Sequence, residues 1–336
     1  MNRLLAPFSL LYGIILALRN YAFDYGFLKS KSFDIPVISV GNLSVGGTGK
    51  SPMIEYLIEL LSEEYVVGVV SRGYGRQTKE MIQVSAEHSA QDVGDEPLQF
   101  KRKFPELYVV VCADRVKAIE SLKECCEVVL LDDAFQHRYV NPAINILLTT
   151  YEGSYHLDWI LPLGRLREWR NGARRADIVV TTKCPRKLDH TLVQRRQYEL
   201  QLKENQIHYA STIDYEKYCI SAKEQKPIKS FLTMPFTLVT GIANSDAMVQ
   251  ELEMQRANFK HFAYSDHHNF TSLELKKISQ EKLILTTEKD YQRLGQSLDK
   301  NDIYYWPIKM KFLHQTQEAF DCEILRRVAK HRTLFS

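Results

Sequence analysis

Between residues 36 and 61 the chain reads PVISVGNLSVGGTGKSPMIEYLIELL, and this passage limits the fold more than any other. The run 36–41 (PVISVG) is short, rich in β-branched residues and apolar on both faces, as a strand buried inside a parallel sheet must be. The segment from 53 onward has the spacing of an amphipathic helix. Between them, Gly46, Gly47 and Gly49 keep the turn nearly free of side chains. Backbone N–H groups can then face anionic oxygens at the start of a helix, where the helix dipole favours negative charge. In a strand–loop–helix setting the pattern G-x-x-x-x-G-K-[ST] is a nucleotide phosphate cradle. Residues Ser44, Val45, Gly46, Gly47, Thr48, Gly49, Lys50 and Ser51 fill it, with Ser44 in place of the first glycine. In this reading Lys50 reaches the β- and γ-phosphates of ATP or GTP and the Ser51 hydroxyl ligates Mg²⁺. Pro52 costs little in a first helical turn, where N–H groups have no helical partner.

Similar apolar runs recur at 65–71, 107–112, 127–132, 143–149 and 177–182, alternating with helical patterns such as 53–64 and 114–124. A further series lies at 237–241, 259–264, 283–287 and 303–309. The expected fold class is α/β: a P-loop NTPase-like parallel sheet flanked by helices, a second smaller α/β lobe, and an N-terminal hydrophobic helix. The polar stretches around 195–227 read as a linker. The expected division is a helix over 1–31, a nucleotide-binding domain over 32–205, and a second lobe over 206–336 with its hinge at about 206–230.

Lysine and arginine total 44 against 41 aspartate and glutamate, a formal charge of +3. That balance argues against a nucleic-acid partner, which calls for a marked basic excess. The whole excess lies in residues 1–31, where Arg3, Arg19, Lys29 and Lys31 stand against Asp24. The same segment holds the uncharged run LLAPFSLLYGIILAL, Leu4 to Leu18, which as a helix is about 22 Å long, short of a ~30 Å hydrocarbon core. Asn2, Ala6, Ser9, Gly13, Ala17 and Asn20 gather on one narrow face, with large apolar groups elsewhere. A helix that sets its small face on protein and its bulk in lipid fits this pattern, with Arg19, Lys29 and Lys31 toward anionic headgroups. A cleaved signal and an ordinary core helix remain the alternatives. The six cysteines have no C-x-x-C spacing, so neither a disulfide framework nor a zinc site is expected.

A phosphate loop needs an acidic partner at the end of a neighbouring buried strand. The run 127–133 (EVVLLDD) supplies Asp132 and Asp133, either of which can hold Mg²⁺ beside Ser51. Other polar groups cluster at strand and loop ends. Arg72 lies among glycines in SRGYGR, GDEP (94–97) is a compact acidic turn, and arginines crowd residues 165–175. Arginine there can grip phosphate bidentately, or simply line a solvated surface. Tyr264-Ser265-Asp266-His267-His268 closes a strand, and its histidine pair has no third metal ligand at a suitable spacing.

Taken in order, SVGNLSVGGTGKSP, SRGYGR, GDEP, LLDDAFQHR, LPLGRLREW, DHHNF and LTTEKD resemble the tetraacyldisaccharide 4′-kinases, the lipid A 4′-kinases of Gram-negative bacteria, over about residues 1–290. The resemblance implies transfer of the ATP γ-phosphate, with Mg²⁺, to the 4′-hydroxyl of a tetraacylated, 1-phosphorylated glucosamine disaccharide, giving lipid IVA. It further implies a lipid substrate, a membrane surface at the cytoplasmic face of the inner membrane, and no obligate protein partner. By position it implies Asp95 and His267 as the base pair at the acceptor hydroxyl. Arg115, Arg167 and Glu168 become phosphate- and metal-side groups, with Gln136 and His137 beside them. The chain departs from the pattern at Arg165 and Trp169, where proline is expected, and at Ser51, where threonine is usual. Two competing readings remain: a membrane-associated regulatory ATPase, whose signature lysine is Val45 here, and a soluble small-metabolite kinase.

Overall fold

The computed structural model describes residues 3–242, 244–266, 268, 270–298 and 303–335. Its first sheet is built from β1 (Val37–Asn42), β2 (Val67–Ser71), β3 (Ile82–Gln83), β4 (Tyr108–Val111), β5 (Val128–Asp132), β6 (Ile144–Thr150), β7 (Ile178–Thr182) and β8 (Ile207–Tyr215). The second is built from β9 (Tyr218–Ile220), β10 (Gln225–Pro227), β11 (Phe236–Thr240), β12 (Phe259–Ala263), β13 (Ile284–Thr286) and β14 (Ile303–Tyr305). The last strand, β15 (Ile308–Phe312), returns to the first sheet.

The nine-stranded order is β15-β8-β7-β6-β1-β5-β2-β4-β3, parallel from β8 to β4, with antiparallel β15 and β3 at its edges. Period-2 alternation within β1 sends Ile38 and Val40 to one face and Val37 to the other. On the first face, Met53, Ile54, Leu57, Ile58 and Leu61 of the helix Lys50–Leu61 fill the core together with Phe320, Ile324 and Val328 of the C-terminal helix Gln317–Phe335. On the second, the helix Arg115–Leu122 contributes Ala118, Ile119 and Leu122. The phosphate loop leaves β1 between β5 and β6, where the strand order reverses and ligands of open α/β sheets bind.

The linker expected over 206–230 holds a nine-residue strand instead: β8 runs parallel to β7 and carries β15 on its other side. Its buried Ser211 and Thr212 make the sequence look polar, while Tyr209 and Ala210 supply apolar packing. The single strand expected over 303–309 divides at Pro307, which has no N–H to continue a ladder. Trp306 marks the crossing, with its indole N–H on the Glu216 carbonyl at 2.7 Å and its ring 4.4 Å from Tyr215. The six-stranded sheet, β10-β9-β14-β13-β11-β12, therefore lies between two returns to the first sheet rather than at the end of the chain.

The N-terminal helix Ala6–Asp24 sits on the first lobe by the small face that the helical wheel picks out. Ser9 donates to the Ile160 carbonyl and accepts from the Leu163 N–H, and Gly13 lies under the Trp169 ring. Leu4, Phe8, Leu10, Leu11, Ile14, Ile15 and Leu18 are exposed. Two of the three expected headgroup cations turn elsewhere. Arg19 donates to the Gln136 carbonyl and covers the Phe23 ring, and Lys31 pairs with Glu120.

Candidate active site

The loop is held open by groups around it. Gly46 and Gly49 take φ of +105° and +87°, conformations that an L side chain rarely adopts. The buried Asn42 amide donates to the Ser44 carbonyl at 2.7 Å and to the Thr48 hydroxyl at 2.8 Å, across the mouth of the loop. From β7, Thr182 donates to the Thr48 carbonyl, while the Val45 N–H reaches the Arg165 carbonyl. Arg165 also pairs with Asp158, and Trp169 donates to the Gly13 carbonyl, so both departures from proline have structural work in this loop.

Asp133 follows β5 with a φ of +48°, strain that its partners offset. Arg167 places Nη1 2.9 Å from both Asp133 oxygens, and Lys50 Nζ is 3.6 Å from Oδ1. Burial alone raises the Asp133 pKa, but Lys50 and Arg167 outweigh it and hold the carboxyl below its usual range. Asp132 is different. Burial, together with the charges of Glu96 and Asp133, pushes it up to about 6, although Oδ2 accepts a hydrogen bond from Ser71. Lys50 works against the shift without cancelling it.

The basic side of the site joins Arg72 and Arg115. Arg115 is 4% exposed, donates to the Ala113 carbonyl and has a buried Nε without a hydrogen-bond partner. Burial and then Arg72 depress its pKa. The same burial, with Arg115 adding, lowers His137 to about 4, so its imidazole is neutral at physiological pH. Gln136 connects the site to the loop, donating to the Asn42 carbonyl and to Glu168. Glu168, expected on the metal side, has both oxygens engaged. Gln136 and Arg175 donate to Oε1, and Asn20 of the N-terminal helix donates to Oε2. Its carboxylate thus serves a junction between that helix and the site.

Among the described residues, no cluster of three or more His, Cys, Asp and Glu side chains could hold a metal ion alone. Mg²⁺ keeps waters and uses one or two carboxylates together with substrate phosphates, so the buried Ser51 hydroxyl and Asp132 carboxyl fit it.

Asp95 opens the helix Asp95–Lys103 and forms a fork with Arg293 of the helix Glu288–Ser297, from the second sheet's side. His267 lies outside the described residues. Its neighbour His268 stacks on Tyr264 and bonds Glu274 at 2.9 Å. Lys50, Ser51, Asp132, Asp133, Arg115, Arg167, Gln136 and His137 therefore gather at the carboxyl ends of β1 and β5, while Asp95 reaches toward the second sheet.

Residue-by-residue reading passes over several participants. Asn42 has a signal, being a polar residue that ends a largely apolar strand beside the loop. Lys183 has a weaker one, as the polar residue closing β7. It takes a φ of +54°, its Nζ comes 3.7 Å from where a Gly47 Cβ would stand, and burial with Lys289 nearby lowers its pKa. Arg293, in mid-helix, has none.

Comparison with known proteins places the chain in one family. The family model described as LpxK, tetraacyldisaccharide-1-P 4′-kinase, matches residues 1–329. A tetraacyldisaccharide 4′-kinase of Flavobacterium psychrophilum is 41% identical, over 99% of this chain and 98% of its own length. That of Bacteroides fragilis is 43% identical, over 98% and 94%. A crystal structure of LpxK from Aquifex aeolicus in complex with ATP superposes with a TM-score of 0.78 at 30% identity, covering 96% of this chain and 98% of that one.

Proposed function

This chain belongs to the tetraacyldisaccharide-1-P 4′-kinase family, and from that premise we propose how its residues divide the work of moving the ATP γ-phosphate to the 4′-hydroxyl of a tetraacyldisaccharide 1-phosphate. The reaction is a step of lipid A biosynthesis and yields lipid IVA. Phosphoryl transfer asks a protein for alignment and charge neutralisation more than for covalent chemistry. The Lys50–Asp133–Arg167 constellation beside the phosphate loop is the observation that carries the assignment. The backbone of residues 44–49 cradles the β- and γ-phosphates, and Lys50 and Arg167 meet charge on the transferring group. Asp133 bridges those two cations and fixes their places. Arg72 and Arg115 add positive charge on the far side of the acidic pair.

Ser51 and Asp132 would hold Mg²⁺, which when bound neutralises phosphate charge. Asp95, with His267, takes the proton of the 4′-hydroxyl, a contribution of the order of 10²–10⁴ in rate. The exposed apolar face of the helix Ala6–Asp24 lies in the cytoplasmic leaflet of the inner membrane as a peripheral or monotopic anchor. Its opposite face reaches the site through Asn20 and Glu168, and so brings the acceptor lipid to the phosphate loop.

The test is transfer from γ-³²P-ATP to the lipid acceptor, compared with release to water. Label should enter lipid, and Asp95→Ala and His267→Ala should each lose at least tenfold. Label appearing only as free phosphate, or both variants staying within about tenfold of the parent, would overturn the assignment.

A further inference from the structure

Where the two sheets' helices meet, a run of charged side chains ends on the carboxylate proposed as base. Asp290 is fully buried at the start of the helix Glu288–Ser297. Its Oδ2 accepts the Gly241 N–H at 2.9 Å, at the carboxyl end of β11, and the Thr287 hydroxyl at 2.7 Å. Its Oδ1 is buried without a hydrogen bond and faces Arg293 Nη1 at 3.6 Å. One turn on, Arg293 sends that same Nη1 to the His268 carbonyl and turns Nε and Nη2 onto the two oxygens of Asp95. The side chains of Arg293 and Asp95 are each only 10% exposed, so this is a desolvated fork and not a surface pair. Guanidinium is suited to such a place because its planar donors fix a carboxylate in two directions at once.

We propose that Arg293 is a positioning residue for the transfer reaction. Anchored on the second sheet through Asp290, it sets the orientation of the Asp95 carboxylate toward the acceptor hydroxyl. The proposal rests on the reading of Asp95 as base. It gives the second sheet a chemical role: the base is aimed only while the helix Glu288–Ser297 lies against the helix Asp95–Lys103. The two facing helices also carry Glu96, paired with Lys289 at 2.6 Å, Lys103, which lies between Glu55 and Glu288, Arg102, which donates to Gln292, and Lys101, which donates to the Pro105 carbonyl. None of these pairings involves Arg293. Removing the guanidinium removes the nearest cation from Asp95, so its pKa rises. A base works when deprotonated, and the acid limb of the kcat profile therefore moves to higher pH.

The experiment uses the full chain with lipid acceptor and ATP, comparing Arg293→Met, Arg293→Lys, Asp95→Asn and the Arg293→Met/Asp95→Asn double variant. Arg293→Met should lower kcat at least tenfold, leave KM for ATP within about threefold, and shift the acid limb upward by about one pH unit. Arg293→Lys should return the limb close to its parental position while recovering only part of kcat, since an ammonium cannot fork. In the Asp95→Asn background the Arg293 change should add less than about threefold, because it acts through the lost carboxylate. Unchanged kcat in Arg293→Met overturns the proposal. So does a loss that follows only KM for ATP and thermal stability with the limb unmoved, or one that multiplies fully with Asp95→Asn. If Asp95→Asn alone stays within tenfold of the parent, the reading of Asp95 as base is what fails. Should Arg293→Met not fold, Arg293→Gln, which keeps hydrogen-bonding groups but not the charge, must show the same upward limb shift, and an unmoved limb there overturns the proposal.

Discussion

Lys103→Met tests the electrostatics that join the phosphate-loop helix to the second sheet. Lys103 ends the helix Asp95–Lys103, and its Nζ lies 2.7 Å from Glu55 Oε2 and 3.6 Å from Glu288 Oε1. Glu55 belongs to the helix that Lys50 begins, and its other oxygen accepts from Gln99 at 2.6 Å. Burial, with Glu55 nearby, raises Glu288 to about 8, so at pH 7 it mostly holds its proton. Burial also works against the Lys103 charge, but Glu55 and Glu288 hold that charge in place. Burial raises the Glu55 carboxyl as well, with Lys103 pulling it the other way, so the lysine is what allows charge on this buried carboxyl pair.

Methionine keeps most of the stem's volume and removes the charge. Glu55, whose side chain is only 6% exposed, then either stays ionised and unpaired or takes up a proton. Protonation limits the penalty: moving a carboxyl with an ordinary pKa of 4.5 to its neutral form at pH 7 costs about 3 kcal/mol. In the variant the folded-state pKa of Glu55 is raised well above its unfolded value. The carboxyl then favours folding below pH 4.5, and that support is lost as pH rises toward the folded pKa. Burial already raises the Glu55 carboxyl in the parent, so the gap between parent and variant should be at most about 3 kcal/mol at pH 7 and smaller at pH 5, read by urea unfolding at both pH values. An equal gap at the two pH values would refute the argument and assign the loss to packing.

Two further substitutions address the loop and the helix. Asn42→Ala removes the amide that bridges Ser44 and Thr48. It should raise KM for ATP about tenfold, corresponding to ~1.4 kcal/mol of lost loop order, with little change in KM for lipid. Steady-state kinetics with each substrate varied decides between this and a global effect. A Cβ at Gly13 would stand 2.5 Å from the Trp169 ring, so Gly13→Val should lift the N-terminal helix from its loop. Expected are faster proteolysis near Gly26 and a raised KM for lipid, with KM for ATP nearly unchanged. Unchanged cleavage would show that the helix tolerates the contact.

Much of the nucleotide half is readable from the chain because it is local. β1, the loop and the helix Lys50–Leu61 are consecutive, and each half-site residue stands at the end of its own apolar strand. Asp132 and Asp133 need only the rule that ligands meet the carboxyl ends of parallel strands. The small face of the N-terminal helix was equally plain, since Ser9, Gly13 and Asn20 recur at helical spacing. β8 escaped notice because its buried hydroxyls read as solvent-facing, and β15 because the residues before Pro307 and after it belong to different sheets.

What the sequence determined by itself is the phosphate cradle, the acidic pair opposite it and the apolar helix, all written in contiguous residues with short-range physics. The tertiary structure decided how the charges pair. It gave Asp133 to Arg167 and Lys50, buried Asp132 beside Ser71, committed Glu168 to the helix junction and set Arg293 on Asp95. Those pairings span up to 198 positions. Their strength depends on burial, which no single segment carries.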